Sequence, residues 1–308
     1  MEVRKVRIRS LAKVNLDLRV LHKRSDGYHE LQTVFQTISL SDTLAISYTP
    51  LGKSEVRISG TPDIPDNIIA RAVEALRKKT RFKGLLEFEI RKNIPMGGGL
   101  GGGSSNAAAT LLAVPVLAGL KLTFQQVQEI AASLGSDINF FLYGGTAIGF
   151  GRGTDLLPMP ELPKRTGIVV ASGIHVSTAD AYQGLRRTTD PLDEAPFRDS
   201  AWKIAHGDLS ACRNDFESSV YKKYRKLRDI HSSLTKAGAE FVRMSGSGSS
   251  IYAFFAEKKG GDSSILKYPA VIHDFETVSR RQYQKLWWRQ LREHIAGEIW
   301  PPPSRYAR

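Results

Sequence analysis

The chain has a single cysteine, Cys212, among its 308 residues. An internal disulfide framework is therefore excluded, and so is any metal site built from several thiolates. Cys212 reads most simply as a buried small apolar side chain. No uninterrupted apolar run reaches membrane-spanning length. The opening Met1-Glu2-Val3-Arg4-Lys5 lacks the apolar segment and small-residue cleavage site of a secretory signal. A cytoplasmic protein with no membrane partner is expected. Acidic residues are also scarce: 31 Asp and Glu against 44 Lys and Arg leave a net charge of +13. Such an excess calls for an anionic partner or serves solubility alone. Basic residues recur along the whole chain, with a denser patch from Thr277 to Arg308 (seven Lys and Arg, two Glu, net +5). Most of this charge is read as solvated surface, and no nucleic-acid partner is expected.

What is present is an ordinary globular composition, 41% hydrophobic and 24% charged, with room for two domains. From Val6 to Val20 apolar residues fall mainly on even numbers, the period of a strand with one buried face, which puts Lys13, Asn15 and Asp17 together on the other. Ser25-Asp26-Gly27 is a turn. Further strands are expected over Leu31–Leu40, Leu44–Tyr48, Val56–Ile58 and Leu86–Arg91. Asp66 or Asn67 can cap a helix with Ile69, Ala72, Val73 and Leu76 on one face. Ala107–Ala118 reads as a helix, and Thr123 with Gln126 makes a capping box for another that Gly135 ends. The proline-rich stretch Pro158–Pro163 marks an expected boundary between domains 1–160 and 161–308. Strands follow at Gly167–Ala171, Phe241–Met244 and Ile251–Phe255. The order of elements argues α+β or mixed α/β in two lobes. After Ser279, residues Tyr283, Leu286, Trp287, Leu291 and Ile295 recur at helical spacing, and Gly297 is a plausible stop. That basic helix needs its apolar face covered, by the C-terminal lobe or by a second subunit; a monomer or a homodimer is expected.

The strongest chemical signal is Pro95-Met96-Gly97-Gly98-Gly99-Leu100-Gly101-Gly102-Gly103-Ser104-Ser105-Asn106. Glycines between a strand and a helix let backbone N–H groups approach a ligand unobstructed, and the helix N-terminus favours phosphate. Ser104 and Ser105 add hydroxyls for phosphate or a metal ion. A Walker loop would need a lysine here, and none is present. A Rossmann fingerprint is formally matched by Gly97, Gly99 and Gly102, but its strand should be almost wholly apolar whereas Leu86–Arg91 alternates. A flexible linker would not lead straight into an apolar helix.

These residues resemble the phosphate-binding motif of the GHMP kinases, the family of galactokinase, homoserine kinase and mevalonate kinase. Ala12-Lys13-Val14-Asn15-Leu16, Gly135-Ser136-Asp137-Ile138-Asn139-Phe140-Phe141 and Met244-Ser245-Gly246-Ser247-Gly248-Ser249 are similar to further motifs of that family. Asp26-Gly27-Tyr28-His29-Glu30-Leu31 points to a member acting on a cytidylyl substrate, at the hydroxyl on C2 of a methylerythritol unit. The resemblance implies an N-terminal lobe like ribosomal protein S5 domain 2 and a ferredoxin-like C-terminal lobe. It implies ATP along the glycine loop, with Mg²⁺ neutralising phosphate charge.

It also implies Asp137 as the group that orients or deprotonates the hydroxyl, and Lys13 as its cationic neighbour. Taken alone, Asp137 can also be read as a helix cap after Gly135, and Lys13 as a solvated strand lysine, the commoner fate of a single lysine. Tyr28 and His29 would serve the base by stacking and hydrogen bonding, with Tyr182 on its other side and Asn15 holding substrate near Lys13. Two features depart from the family: Asn139 stands where proline is expected, and the chain after Phe255 has no match. Another kinase of the family would have no use for the Asp26–Leu31 run. An RNA-binding protein would have none for Lys13 and Asp137.

Overall fold

The structure is a computed structural model that describes residues 2–62, 65–185, 194–256 and 263–307. A long antiparallel hairpin of β1 (Arg4–Lys23) and β2 (His29–Thr49) forms its spine. The two strands expected over Leu31–Leu40 and Leu44–Tyr48 are thus one. β3 (Ser54–Ser59) lies parallel to β4 (Gly84–Arg91), which pairs with the far end of β2. β5 (Thr146–Phe150) pairs with the near end of β2, and β6 (Asp155–Pro158) completes a six-stranded sheet.

Against this sheet pack α1 (Ile68–Thr80), α2 (Gly102–Ala118), α3 (Phe124–Leu134) and α4 (Ile138–Tyr143). Asn67 rather than Asp66 caps α1, its side chain accepting the Ile69 N–H at 3.0 Å. The capping box of Thr123 and Gln126 is present at α3. α2 begins at Gly102, five residues before the expected Ala107, because Gly102 to Asn106 already coil helically. Every residue of α2 from Ser105 to Leu117 is buried, so packing overrides the poor helix propensity of glycine and serine at its start.

A second sheet, ordered β10-β7-β9-β8 and antiparallel throughout, is built from β7 (Thr166–Ala171), β8 (Phe241–Met244), β9 (Ile251–Phe255) and β10 (Val271–Glu276). One face carries Ile168, Val170 and Ile251 against α7 (Glu217–Lys223) and α8 (Arg225–Lys236). The other face, with Val169, Tyr252, Phe254 and Phe275, meets Ala12, Val14 and Leu16 of β1. Between β7 and α7 lie α5 (Thr178–Gln183) and α6 (Glu194–Ala205).

The period-two pattern of β1 therefore hides a change of partner. Register shifts at Leu11/Ala12 and Asn15/Asp17 switch its faces. Val6, Ile8 and Leu11 belong to the first core, and Ala12, Val14 and Leu16 to the core between the sheets. The face that carries Lys13, Asn15 and Asp17 is buried as well, so the reading of Lys13 as a solvated strand lysine fails: it is 3% exposed.

α9 (Arg280–Leu291) follows Ser279, which forms a capping box with Gln282. Tyr283, Trp287 and Leu291 pack into the core of the first sheet, and the Tyr283 hydroxyl donates to Phe141 O at 2.6 Å. The C-terminal lobe or a second subunit is the cover expected from sequence; the N-terminal helices of the same chain provide it instead. Helical backbone stops before Gly297, because Ile295 pairs with Ser304 as the tail turns back, and Ser304 Oγ donates to Val116 O. No described helix is long and apolar enough to cross a membrane.

Candidate active site

Past the end of β4, the chain leading into the glycine loop is anchored on Asp42 of β2. This fully buried carboxylate accepts the N–H groups of Asn93 and Ile94 at 2.8 Å each and pairs with Lys92. From that anchor the chain turns through Gly97, Gly99 and Gly101, all with φ between +67° and +75°, a region that residues with a Cβ rarely enter. Leu100 is buried and pins the loop from below. Gly101 is the N-cap of α2.

A second loop, residues 245–250, comes from the other sheet and is stitched to the first. Ser245 Oγ donates to Gly99 O at 2.9 Å, and Ser250 N donates to Gly98 O at 3.1 Å. The approach is so close that a Cβ on Gly99 would lie 2.0 Å from Ser245 O. Asn214 Nδ2 fixes the second loop from behind, donating to Met244 O and Gly246 O at 2.7 and 2.9 Å.

Lys13 lies where the two loops meet. Its backbone N–H donates to Leu100 O at 3.0 Å, its Nζ donates to Asn15 Oδ1 at 2.6 Å, and Nζ stands 3.4 Å from Asp137 Oδ2. Asn15 Nδ2 in turn donates to Thr33 Oγ1, and Asn15 O accepts from the Tyr252 hydroxyl. Both sheets thus hold the ammonium in place. Asp137 occupies the N-cap position of α4, yet its side chain makes no capping bond. Its carboxylate is 29% exposed and free to meet a ligand, unlike that of a structural cap. Asn139 falls in the first turn of α4, where a backbone N–H is unpaired in any case. Asparagine and proline are both compatible with that place, so the departure at Asn139 leaves the setting of Asp137 intact.

Lys13, Asn15 and Asp137 open into a cavity of about 910 Å³ between the lobes. Tyr28, His29, Tyr182, Gly97, Gly99 and Gly101 also line it. The remaining loop residues do not. Pro95, Met96, Gly98, Gly102, Gly103 and Ser104 flank it, and Met96 is 63% exposed to solvent. Ser105 and Asn106 lie deeper still. Both side chains are buried, and Ser105 Oγ and Asn106 Oδ1 each lie 2.7 Å from Ser10 Oγ. They secure α2 to β1, and the Ser105 hydroxyl is engaged with Ser10.

At the far end, Tyr28 projects from the β1–β2 turn with 57% of its surface exposed. His29 stacks on Tyr182, ring centroids 4.7 Å apart at 19°, and Tyr182 meets Phe216 edge-on. One face of Tyr182 is therefore covered by His29. Burial, reinforced by nearby Lys23, lowers the pKa of His29 and favours the neutral ring at pH 7. Burial pushes the Tyr182 hydroxyl up to about 12, with the charge of Asp137 adding to it. Sequence reasoning passed over two lining residues, Arg152 at this end and His175 beside Gly97 of the glycine loop. Arg152, between two glycines in Gly151-Arg152-Gly153, was a legible signal; His175 was not. Among the described residues no group of three His, Cys, Asp or Glu could hold a metal, and Asp137 is the one carboxylate lining the cavity.

The sequence pattern described as "GHMP kinases N terminal domain" matches residues 67–145, and "GHMP kinases C terminal" matches residues 203–268. A 4-diphosphocytidyl-2-C-methyl-D-erythritol kinase of Solibacter usitatus is 46% identical over 98% of both chains. The chain belongs to the GHMP kinases, in the branch of the 4-diphosphocytidyl-2-C-methyl-D-erythritol kinases. A Geobacter protein of the same name is 39% identical, over 86% of this chain and 95% of its own. Among solved structures, a 4-(cytidine 5'-diphospho)-2C-methyl-D-erythritol kinase superposes with a TM-score of 0.74 at 30% identity, covering 88% of this chain and 98% of that one. A homoserine kinase from Cytophaga hutchinsonii shares the fold, with a TM-score of 0.68 at 18% identity, 89% of this chain and 95% of that one.

Proposed function

We infer that this protein is an ATP-dependent kinase acting on 4-diphosphocytidyl-2-C-methyl-D-erythritol, a step of the non-mevalonate route to isoprenoid precursors. Family membership and the relatives' names support the activity. The observation that carries the assignment of roles is the Lys13–Asp137 pair, 3.4 Å apart where two glycine loops meet at the cavity.

The substrate's C2 hydroxyl is placed against Asp137, which orients it and takes its proton as the oxygen bonds to the γ-phosphorus. The bond from that phosphorus to the bridging oxygen breaks, and ADP leaves with the electron pair. Phosphoryl transfer of this kind needs positioning and charge stabilisation more than basicity. Lys13 supplies a fixed cation beside the moving phosphoryl group, and its buried, twice-anchored ammonium needs no reorganisation. N–H groups of the 97–101 loop and the N-terminus of the 17-residue α2 offer donors for the phosphates. Ser104 and the flanking residues Pro95, Met96, Gly98, Leu100, Gly102 and Gly103 shape that loop.

Mg²⁺ is proposed to arrive with ATP, because among the described residues the cavity offers it one carboxylate and no preformed cage. Such an ion takes most of its ligands from phosphate and water. It would neutralise phosphate charge. At the other end Tyr28 offers its ring to the cytosine, and neutral His29 hydrogen-bonds the base edge. Tyr182 acts by holding His29, and Asn15 by holding Lys13. A division of the chain near residue 160, a cytoplasmic location, a monomeric or homodimeric state and the lack of nucleic-acid and membrane partners belong to the same proposal.

Release of ADP is the test, measured with the cytidylyl substrate beside homoserine and mevalonate. Turnover confined to the cytidylyl substrate supports the reading. Turnover of homoserine or mevalonate in its place would move the protein to another branch of the family.

A further inference from the structure

Three cations line the cavity: Lys13, Arg71 and Arg152. Lys13 is committed to Asp137 and Asn15, and Arg71 pairs with Asp66 at 3.5 Å. Arg152 is half-buried and makes no ion pair or hydrogen bond among the described residues. Its guanidinium lies over the ring of Tyr28, 4.5 Å from the centroid. The turn that carries it is firmly held. Gly151 N donates to Glu30 Oε1 at 2.8 Å, Leu31 N donates to Gly151 O at 2.7 Å, and Gly153 N donates to Phe150 O at 2.8 Å. Glu30 itself pairs with Arg24. Left-handed φ values at Gly151 and Gly153, +65° and +89°, make the turn.

The Tyr28 N–H chiefly holds the Asp26 carboxylate below the usual range and the charge of Arg152 adds to it, but no carboxylate makes direct contact with Arg152 among the described residues. A half-buried guanidinium with no direct ion pair is suited to an anion, and its planar fork matches phosphate oxygens. If Tyr28 takes the nucleobase, the phosphates begin one ribose away, and Arg152 is the cation that stands beside Tyr28 in the cavity. We propose that Arg152 is a specificity residue that pairs with the diphosphate of the cytidylyl substrate while its flat face rests on Tyr28. This rests on the cytidylyl reading above and deepens it: the protein recognises a nucleoside diphosphate, not a nucleoside.

The probes are CDP and cytidine, titrated calorimetrically with saturating ADP present so that neither enters the ATP site. Wild-type protein binds CDP more tightly than cytidine. Arg152→Gln weakens CDP by about tenfold, the loss of one charge-assisted contact at a partly exposed site, and leaves cytidine unchanged. Arg152→Lys, which keeps the charge but not the fork, falls between. Equal weakening of CDP and cytidine in Arg152→Gln would mean that Arg152 only supports Tyr28, and an unchanged CDP affinity would deny it any role. Either result overturns this proposal and leaves the cytidylyl reading standing. Wild-type protein that binds neither probe overturns both.

Discussion

Replacing Gly99 by alanine perturbs the junction of the two glycine loops at its tightest point. The new Cβ would stand 2.0 Å from Ser245 O, 2.9 Å from Ser245 C and 3.2 Å from Gly248 O, all backbone atoms that no side-chain rotation can relieve. At a φ of +75° alanine itself costs about 1–2 kcal/mol. Moving the 245–250 loop clear breaks the bonds from Ser245 Oγ to Gly99 O and from Ser250 N to Gly98 O, at about 1 kcal/mol each. The total is about 3–4 kcal/mol, shared between lost stability and lost transition-state binding. Were all of it catalytic, kcat/KM would fall by about two to three orders of magnitude. Steady-state ADP release and thermal unfolding divide the loss between the two. Gly103→Ala is the control for stability: its Cβ would meet nothing closer than Ile68 Cγ2 at 3.8 Å, so it should raise stability by about 0.5–1 kcal/mol. A Gly99→Ala protein with unchanged Tm and kcat/KM would refute the claim that the loops are locked together.

Tyr28→Ala should weaken the cytidylyl substrate by about ten- to hundredfold and spare ATP, read from the two KM values; equal losses would make Tyr28 a fold residue. The acid limb of the KM profile should reflect His29. Its pKa lies below the ordinary 6.5, so the neutral ring persists at pH 7 and affinity for the cytidylyl substrate drops only as pH falls below that value. His29→Ala should abolish this limb, and its survival in the variant would clear His29. Trp287→Ala removes a ring that is 1% exposed and should cost about 3–5 kcal/mol in denaturant unfolding, while the folded fraction still binds ATP. Outright loss of ATP binding by a folded variant would tie α9 to the site.

Elements whose signals are local were legible in the sequence. The strands Phe241–Met244 and Ile251–Phe255 fall where the residues say they should, and so do the capped starts of α1 and α3 and the helix after Ser279, though not its capping box. What escaped was tertiary. β1 alternates in sequence, yet register shifts pass its side chains from one core to another, and only its partners reveal that Lys13 is buried. α9 shows an apolar stripe, but a stripe does not say which lobe it faces; Gly144, whose Cβ would strike the Tyr283 ring at 2.3 Å, makes room for it across 139 positions of sequence. Ser105 illustrates the same limit at the site. A hydroxyl at a helix N-terminus suggests phosphate, and nothing local shows that Ser10 on the neighbouring strand donates to it. Lys13 and Asp137 came from resemblance; their 3.4 Å separation is what the fold adds.

The pairing of Lys13 with Asp137 is the centre of the account, and Asp137→Asn tests it most directly. The substitution keeps shape and removes the charge from a side chain that caps no helix and is 29% exposed, so the protein should remain folded. Turnover of the cytidylyl substrate by the purified variant, its fold checked by unfolding, should drop by about a hundredfold or more, with Lys13→Ala dropping comparably. Near-normal turnover in folded Asp137→Asn would contradict it and remove Asp137 from the reaction.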